Sequence, residues 1–303
     1  MDELVARLRA AGCVFAEDEA RILTEAAGGD AARLEELAAA RVGGLPLEHL
    51  VGWAELDGRR WLVAPGVFVP RQRSELLVRE AAARAVPGSP DGAGVEADGD
   101  GGAVLLVDLC CGCGALGGAV AARLLAAGHD VEVHAADVDP AAVTCAHENL
   151  KALADDSPDA AGARGVLALP PRSTGTPRPG RLTAHTYTGD LADPLPAEVW
   201  GRVDVLVANA PYVPTAAISM MPPEAREHEP HVALDGGGDG LAILRRVIDL
   251  APKLLRPGGH LLVETGEGQV SAAVGHMTTA GLTTTVLSDE DLGATALAAT
   301  LPT

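Results

Sequence analysis

The sequence predicts an α/β fold, a mainly parallel, doubly wound sheet preceded by a small helical unit and a β-hairpin. Three observations predict it. From Val104 onward, short apolar runs alternate with longer segments of helical periodicity, the pattern of repeated strand–helix units. Several of the runs lead directly into a polar residue suited to a ligand: Asp108, Asp137, Asp190 and Asn209. Ligands of doubly wound sheets bind at these carboxyl ends of the strands. A chain of 303 residues with 48% hydrophobic content is also long enough for one large core and one small one.

The elements follow in order. Residues 2–42 read as three short helices with apolar positions at Leu4, Leu8, Ile22, Leu23, Leu34 and Leu37, closing near Gly43-Gly44, so that 1–45 forms a helical bundle. A linking region, 46–86, holds a hairpin in which Trp53 to Leu56 and Arg60 to Val63 flank the turn pair Asp57-Gly58, then a helix from Ser74 to Val86. Residues 87–102 are rich in Gly, Asp and Pro without a core pattern and are expected to be a flexible linker. The large domain, 103–303, contains strands at Val104–Val107, Val131–Ala136, Leu182–Tyr187 and Val203–Ala208. Its helices are expected at Pro140–Leu150, Leu241–Leu255 and Gln269–Ala280, and a second Pro/Gly-rich insert at about 155–180.

The first strand runs into Asp108-Leu109-Cys110-Cys111-Gly112-Cys113-Gly114 and then an Ala-rich helix start. Glycines let a backbone turn tightly against a ligand, and the helix N-terminus offers unpaired N–H groups to an anionic group. Asp137, 29 residues after Asp108, is placed to accept both hydroxyls of a ribose. Two cofactors suit this loop. Gly112 to Gly117 satisfies the GxGxxG dinucleotide pattern, which allows a nicotinamide dehydrogenase. Asp108 would sit poorly beside a pyrophosphate but could pair, directly or through water, with the amino group of a methionine moiety, which favours S-adenosylmethionine. Alternatively, Asp108 caps the next helix. The tetrapeptide Asn209-Ala210-Pro211-Tyr212 favours the methyl donor further, because it suits holding a planar nitrogen and hydride transfer has no use for it. The competing reading is an ordinary strand-end turn.

Taken together, these segments resemble the HemK-like family of protein-glutamine methyltransferases. Pro46–Gly52 and Val67–Arg71 resemble the family's segment joining its N-terminal and catalytic domains. Glu224–Pro230, Ala233–Gly237 and Asp239–Leu241 resemble the stretch after its Asn-Pro-Pro-Tyr. Leu255–Gly266 and Gln269 resemble its fifth strand and following turn. The similarity runs from about Pro46 to Gln269. Three positions depart from the family pattern: Ala210 replaces a proline, Cys110 replaces a glycine, and Pro70-Arg71-Gln72-Arg73-Ser74-Glu75 replaces Pro-Arg-Pro-Glu-Thr-Glu. The Cys110 replacement is harmless only at negative φ.

The resemblance implies a seven-stranded Rossmann-like methyltransferase sheet with an antiparallel strand near the C-terminus, for which Thr283–Leu287 and Thr295–Leu301 are candidates. It implies S-adenosylmethionine as cofactor, bound by Asp108, Cys110, Gly112, Gly114, Asp137, Asp190 and Asn209, with Asp190 at the adenine amino group or else a solvated turn acid. The expected substrate is a protein carrying a target glutamine, a release factor or a ribosomal protein, read by the N-terminal bundle. Asn209, Ala210, Pro211 and Tyr212 would be the catalytic set. In this reading the Asn209 oxygen and the Ala210 carbonyl accept the two amide hydrogens while Tyr212 packs on the flat amide, and no general base is needed. Glu264 is expected in the pocket floor or as a turn cap, and Glu224 and Glu229 are expected to be structural or partner-facing.

Composition sets outer limits. A formal charge of −19 opposes a nucleic-acid binder that tracks a phosphate backbone. No apolar run reaches membrane-span length and the start, Met1-Asp2-Glu3-Leu4, is not basic, so a cytoplasmic location is expected. Lysine occurs only at Lys151 and Lys253, the usage of a high-GC bacterial genome. Cys110, Cys111 and Cys113 lack the spacing of paired CxxC knuckles, so no metal is expected, although Cys111 or Cys113 could be sensitive to oxidation. Two other function classes remain: a methyltransferase of a small amide or amine, and a donor-binding homologue without catalysis.

Overall fold

In a computed structural model the described residues are 1–85, 102–155 and 180–303. Apart from their end residues, the expected linker at 87–102 and insert at 155–180 lie outside them.

The N-terminal helices α1 (Asp2–Ala10), α2 (Ala16–Ala27) and α3 (Ala31–Val42) bury a small core of their own, centred on Leu8, Leu23 and Leu37. Asp30 caps the start of α3, its carboxylate accepting from the Ala32 and Arg33 N–H groups. A short helix α4 (Leu47–Val51) follows. Its five residues are too few to show helical periodicity in the sequence.

The hairpin pairs β1 (Trp53–Leu56) with β2 (Arg59–Leu62) around Asp57, which takes φ +56°. It then packs on the large domain through Trp61. The indole is 3% exposed, donates to the Leu56 carbonyl at 3.1 Å, and lies so close to Gly118 that a Cβ there would meet the ring at 2.5 Å. A 3₁₀ turn at Gln72–Ser74 leads into α5 (Glu75–Ala85).

The large domain holds β3 (Val104–Leu109), α6 (Ala115–Ala126), β4 (Val131–Asp137), α7 (Pro140–Ala154), β5 (Leu182–Thr188) and β6 (Val203–Ala208). After β6 come two short helices, α8 (Pro223–His228) and α9 (His231–Leu234). The chain then forms α10 (Ala242–Leu254), β7 (Leu255–Glu264), α11 (Val270–Thr279), β8 (Thr283–Asp289) and β9 (Ala294–Thr300). Among the described residues the strands form one seven-stranded sheet in the order β5-β4-β3-β6-β7-β9-β8. Strands β5 through β7 are parallel, and β9 runs antiparallel to both β7 and β8.

Two apolar layers sandwich this sheet. One includes Trp61, Leu77 and Leu124, the other Leu244, Ile248 and Met277. β3 is buried along its whole length, as expected of a central parallel strand with helices on both faces. The strand order reverses at β3 and β6, and the crevice beyond their carboxyl ends is the ligand position of such a sheet.

Candidate active site

At that crevice lies a cavity of about 330 Å³. Its walls come from the β3–α6 loop (Cys110, Gly112, Cys113), the end of β4 (Asp137, Val138) and the turn after β5 (Asp190, Leu191). Asn209 and Pro211 after β6, and Phe68, Pro70 and Ser74 from the linking segment, complete them. The structure therefore brings most of the expected residues to one place.

Asp137 lines the cavity while its carboxylate accepts from two backbone N–H groups, Gly112 and Asp139, each at 2.9 Å. Those bonds fix the carboxylate against the loop, and burial raises its pKa despite them. Gly112 has φ +54°, and a Cβ built there meets nothing within 4 Å, so the loop presents bare backbone to open space. Asp190 is at the rim, exposed and paired with Arg246 at 2.7 Å. A fixed carboxylate, an uncovered backbone turn and the apolar walls of Val138, Ala142, Leu191 and Ile243 fit a nucleoside group.

Asp108, Gly114, Ala210 and Tyr212 are not among the cavity-lining residues, and Cys110, which is, takes an unexpected backbone conformation. Asp108 does not line the cavity and is wholly buried behind the loop. Its Oδ2 accepts from the Gly117 N–H at 2.9 Å in the first turn of α6, so it supports the helix start, as in the capping alternative. Oδ1 has no partner among the described residues, and burial pushes the pKa up to about 7. Gly114 is also absent from the walls. A Cβ there would meet the Ala146 Cβ at 2.9 Å, so it permits α6 and α7 to approach. Cys110 does line the cavity but has φ +56°, the left-handed region that disfavours a side chain.

The cysteines are free, and burial pushes the thiols of Cys111 and Cys113 upward, away from the reactive thiolate. Burial thus works against the thiolate form on which the expected oxidation sensitivity of Cys111 or Cys113 would depend.

The tetrapeptide is held from below. Ala210 and Pro211 are buried, and Gln269 donates to the Tyr212 and Asp239 carbonyls at 2.9 Å each. Gly240 passes so close to Tyr212 that a Cβ would sit 2.3 Å from its carbonyl oxygen. The Asp235–Leu241 stretch and Gln269 thus clamp the backbone of the tetrapeptide.

On the other side is a network that sequence reasoning did not resolve. Glu264, at the end of β7 and 3% exposed, accepts from the Arg73 Nε at 2.6 Å and the Tyr212 hydroxyl at 3.0 Å through Oε1. Its Oε2 accepts from the Ser74 hydroxyl at 2.7 Å, and Asn209 Nδ2 donates to the same Ser74 oxygen at 3.3 Å. Arg73 also donates to the Tyr212 hydroxyl. Burial and the neighbouring Glu264 push the Tyr212 phenol upward, so it stays protonated near neutral pH. The only sequence signal for Ser74 was the Pro70–Glu75 segment, which departs from the family pattern at its second proline, its first glutamate and its threonine, the last being Ser74 itself.

Glu229 and Glu224 are structural. Glu229 pairs with Arg71, and Glu224 with the buried Arg41 at 3.1 Å.

A release factor glutamine methyltransferase of Geobacter sulfurreducens is 34% identical to this chain over 255 residues, covering 82% of the chain and 72% of that protein. One from Mycobacterium tuberculosis is 31% identical over 261 residues, covering 86% and 71%. The chain belongs to the release factor glutamine methyltransferase family. It is therefore an enzyme of the methyltransferase class, with S-adenosylmethionine as donor. Also similar is a 4-amino-L-phenylalanine/4-methylamino-L-phenylalanine methyltransferase of Streptomyces pristinaespiralis, 33% identical over 227 residues, covering 75% of this methyltransferase and 63% of that one. No family model matches the chain.

Proposed function

We propose that this methyltransferase transfers a methyl group to the side-chain amide nitrogen of a glutamine in a protein, with a translation release factor as the substrate. The observation that carries the reading is Asn209, which opens on the cavity between the donor walls and the Ser74–Glu264 network. Asp137 and Gly112 would hold the donor, which would supply an electrophilic methyl group.

Asn209 and the Ala210 carbonyl accept the two amide hydrogens, fixing the amide plane and stabilising the positive charge that grows on nitrogen. An amide nitrogen is a weak nucleophile because its lone pair is delocalised, so most of the acceleration comes from orientation. As the new N–C bond forms and the C–S bond breaks, one amide proton leaves to solvent. Tyr212, protonated and tied to Glu264 and Arg73, packs on the flat amide in this reading and does not act as a base.

A second reading rests on the Streptomyces pristinaespiralis relative, whose name describes methylation of a small aromatic amine. On that reading the same acceptors would hold an aniline-type nitrogen.

One experiment separates them. The purified enzyme is given S-adenosylmethionine with a labelled methyl group, together with a bacterial release factor or with free 4-amino-L-phenylalanine. We expect label on a single glutamine of the release factor and a loss of roughly 100-fold or more in Asn209→Ala. Label only on the free amino acid would replace the first reading by the second.

A further inference from the structure

The hydrogen-bond inventory around Asn209 fixes more than its position. Glu264 as a carboxylate can only accept, and a serine hydroxyl has a single proton. Ser74 gives that proton to Glu264 Oε2 at 2.7 Å, which leaves its oxygen free only to accept. Asn209 must then offer its NH₂ edge to Ser74, and its Oδ1 must be the edge left for the cavity. Glu264 cannot turn the sequence around, because Oε1 is already held by Arg73 and Tyr212, both donors at this oxygen. Glu264 and Ser74 are each 3% exposed, so these bonds are largely shielded from bulk solvent.

We infer that Arg73/Tyr212, Glu264 and Ser74 form a one-way hydrogen-bond relay that sets the orientation of the Asn209 amide, making it an acceptor and not a donor toward the substrate nitrogen. Ser74 and Glu264 are positioning residues in this scheme, since neither touches the reacting atoms. The inference rests on the proposed role of Asn209 and deepens it. An asparagine free to flip would present NH₂ to the substrate N–H groups in half of its encounters, and a donor facing a donor leaves both unsatisfied.

The isosteric change Glu264→Gln reverses the relay without removing an atom. The oxygen of the new amide must face Arg73 and Tyr212, so its NH₂ faces Ser74. Ser74 then accepts from that NH₂ and passes its own proton to Asn209, whose amide turns and directs NH₂ into the cavity. Ser74→Ala removes the orientation without reversing it, and Ser74→Thr keeps it.

The test reads the Asn209 side-chain NH₂ resonances in the ¹⁵N-labelled, ligand-free enzyme, assigned as the pair missing from Asn209→Ala. Hydrogen exchange of that pair, held against buried Ser74 in the wild type, is expected to quicken at least tenfold in Glu264→Gln and Ser74→Ala and to stay slow in Ser74→Thr. In parallel, kcat for release-factor methylation is expected to fall roughly 100-fold in Glu264→Gln and roughly tenfold in Ser74→Ala. Ser74→Thr should recover wild-type kcat, and donor affinity measured by calorimetry should stay within about twofold in all three.

An Asn209 signal indifferent to both Glu264→Gln and Ser74→Ala overturns the relay, whatever the activity. A signal that responds while Asn209→Ala still methylates leaves the relay in place and removes the functional reading on which its purpose rests.

Discussion

Asp108 is a carboxylate that the fold buries completely, and its consequences can be followed through pH. An aspartate in an unfolded chain ionises near 3.9, whereas burial moves Asp108 up to about 7. Between those values the folded state holds a proton that the unfolded state has lost. Its contribution therefore lowers folding stability as pH rises from about 4 to about 7, and stays at a constant penalty above that. Asp108→Asn keeps an oxygen for the Gly117 N–H and cannot ionise. Its unfolding free energy relative to wild type should climb across that window and level off beyond it, as urea titrations at successive pH values would show. Cys110 makes a simpler case at the next position but one. A non-glycine residue at φ +56° stores about 1–3 kcal/mol of strain, so Cys110→Gly should raise the urea midpoint, with part of the gain offset by the greater freedom of glycine in the unfolded chain. An unchanged or lower midpoint would mean that the Cys110 side chain contributes contacts worth at least as much as the strain.

Between elements, the segment after the tetrapeptide is tied to the N-terminal helices through Arg41 and to the linking segment through Arg71. Arg41 in α3 is 8% exposed and bonds Glu19 of α2 at 2.6 Å, the Leu45 carbonyl at 3.0 Å and Glu224 of α8 at 3.1 Å. Removing one partner of a buried ion pair leaves the other charge uncompensated, at a cost of roughly 3–5 kcal/mol. Arg41→Ala should lower stability by about that amount, with Glu19 buried and alone, whereas Glu224→Ala should cost far less because its side chain is 39% exposed. Near-equal losses in equilibrium unfolding would contradict this. These ties mark the limit of sequence reading at this scale. Glu224 and Glu229 were recognisable as structural because methyl transfer needs no paired carboxylates, yet nothing in the residue order indicated Arg41 and Arg71 as their partners. Ser74 was hidden for a similar reason: it lies 135 residues before Asn209 and 190 before Glu264. Only the closed sheet brings the three together.

Across the whole molecule, the alternation of apolar runs with helical segments was legible because a parallel sheet buries its central strands on both faces, and β3 and β6 are nearly all apolar. The C-terminal pair was legible only through family resemblance, since Thr283–Asp289 is largely exposed and its pattern is weak. The placement of Asp108 behind the loop and of Gly114 against α7 was hidden because a strand-end acid and a loop glycine look alike in sequence whether they face a ligand or a neighbouring helix. The charge of −19 was plain from the start, and it bears on the acceptor. A surface so acidic repels acidic partners and draws basic ones, mainly through the rate of encounter, and that attraction weakens as salt shortens the screening length from about 10 Å at 0.1 M to about 3 Å at 1 M. If a release factor presents a basic surface to this enzyme, its KM should rise roughly tenfold or more over that range while kcat holds. A small zwitterionic acceptor, lacking an extended charged face, should show little change. Steady-state kinetics at four or five salt concentrations would decide the matter. A flat KM for the protein acceptor would show that the acidic surface takes no part in its capture, and recognition would then rest on the walls around Asn209 alone.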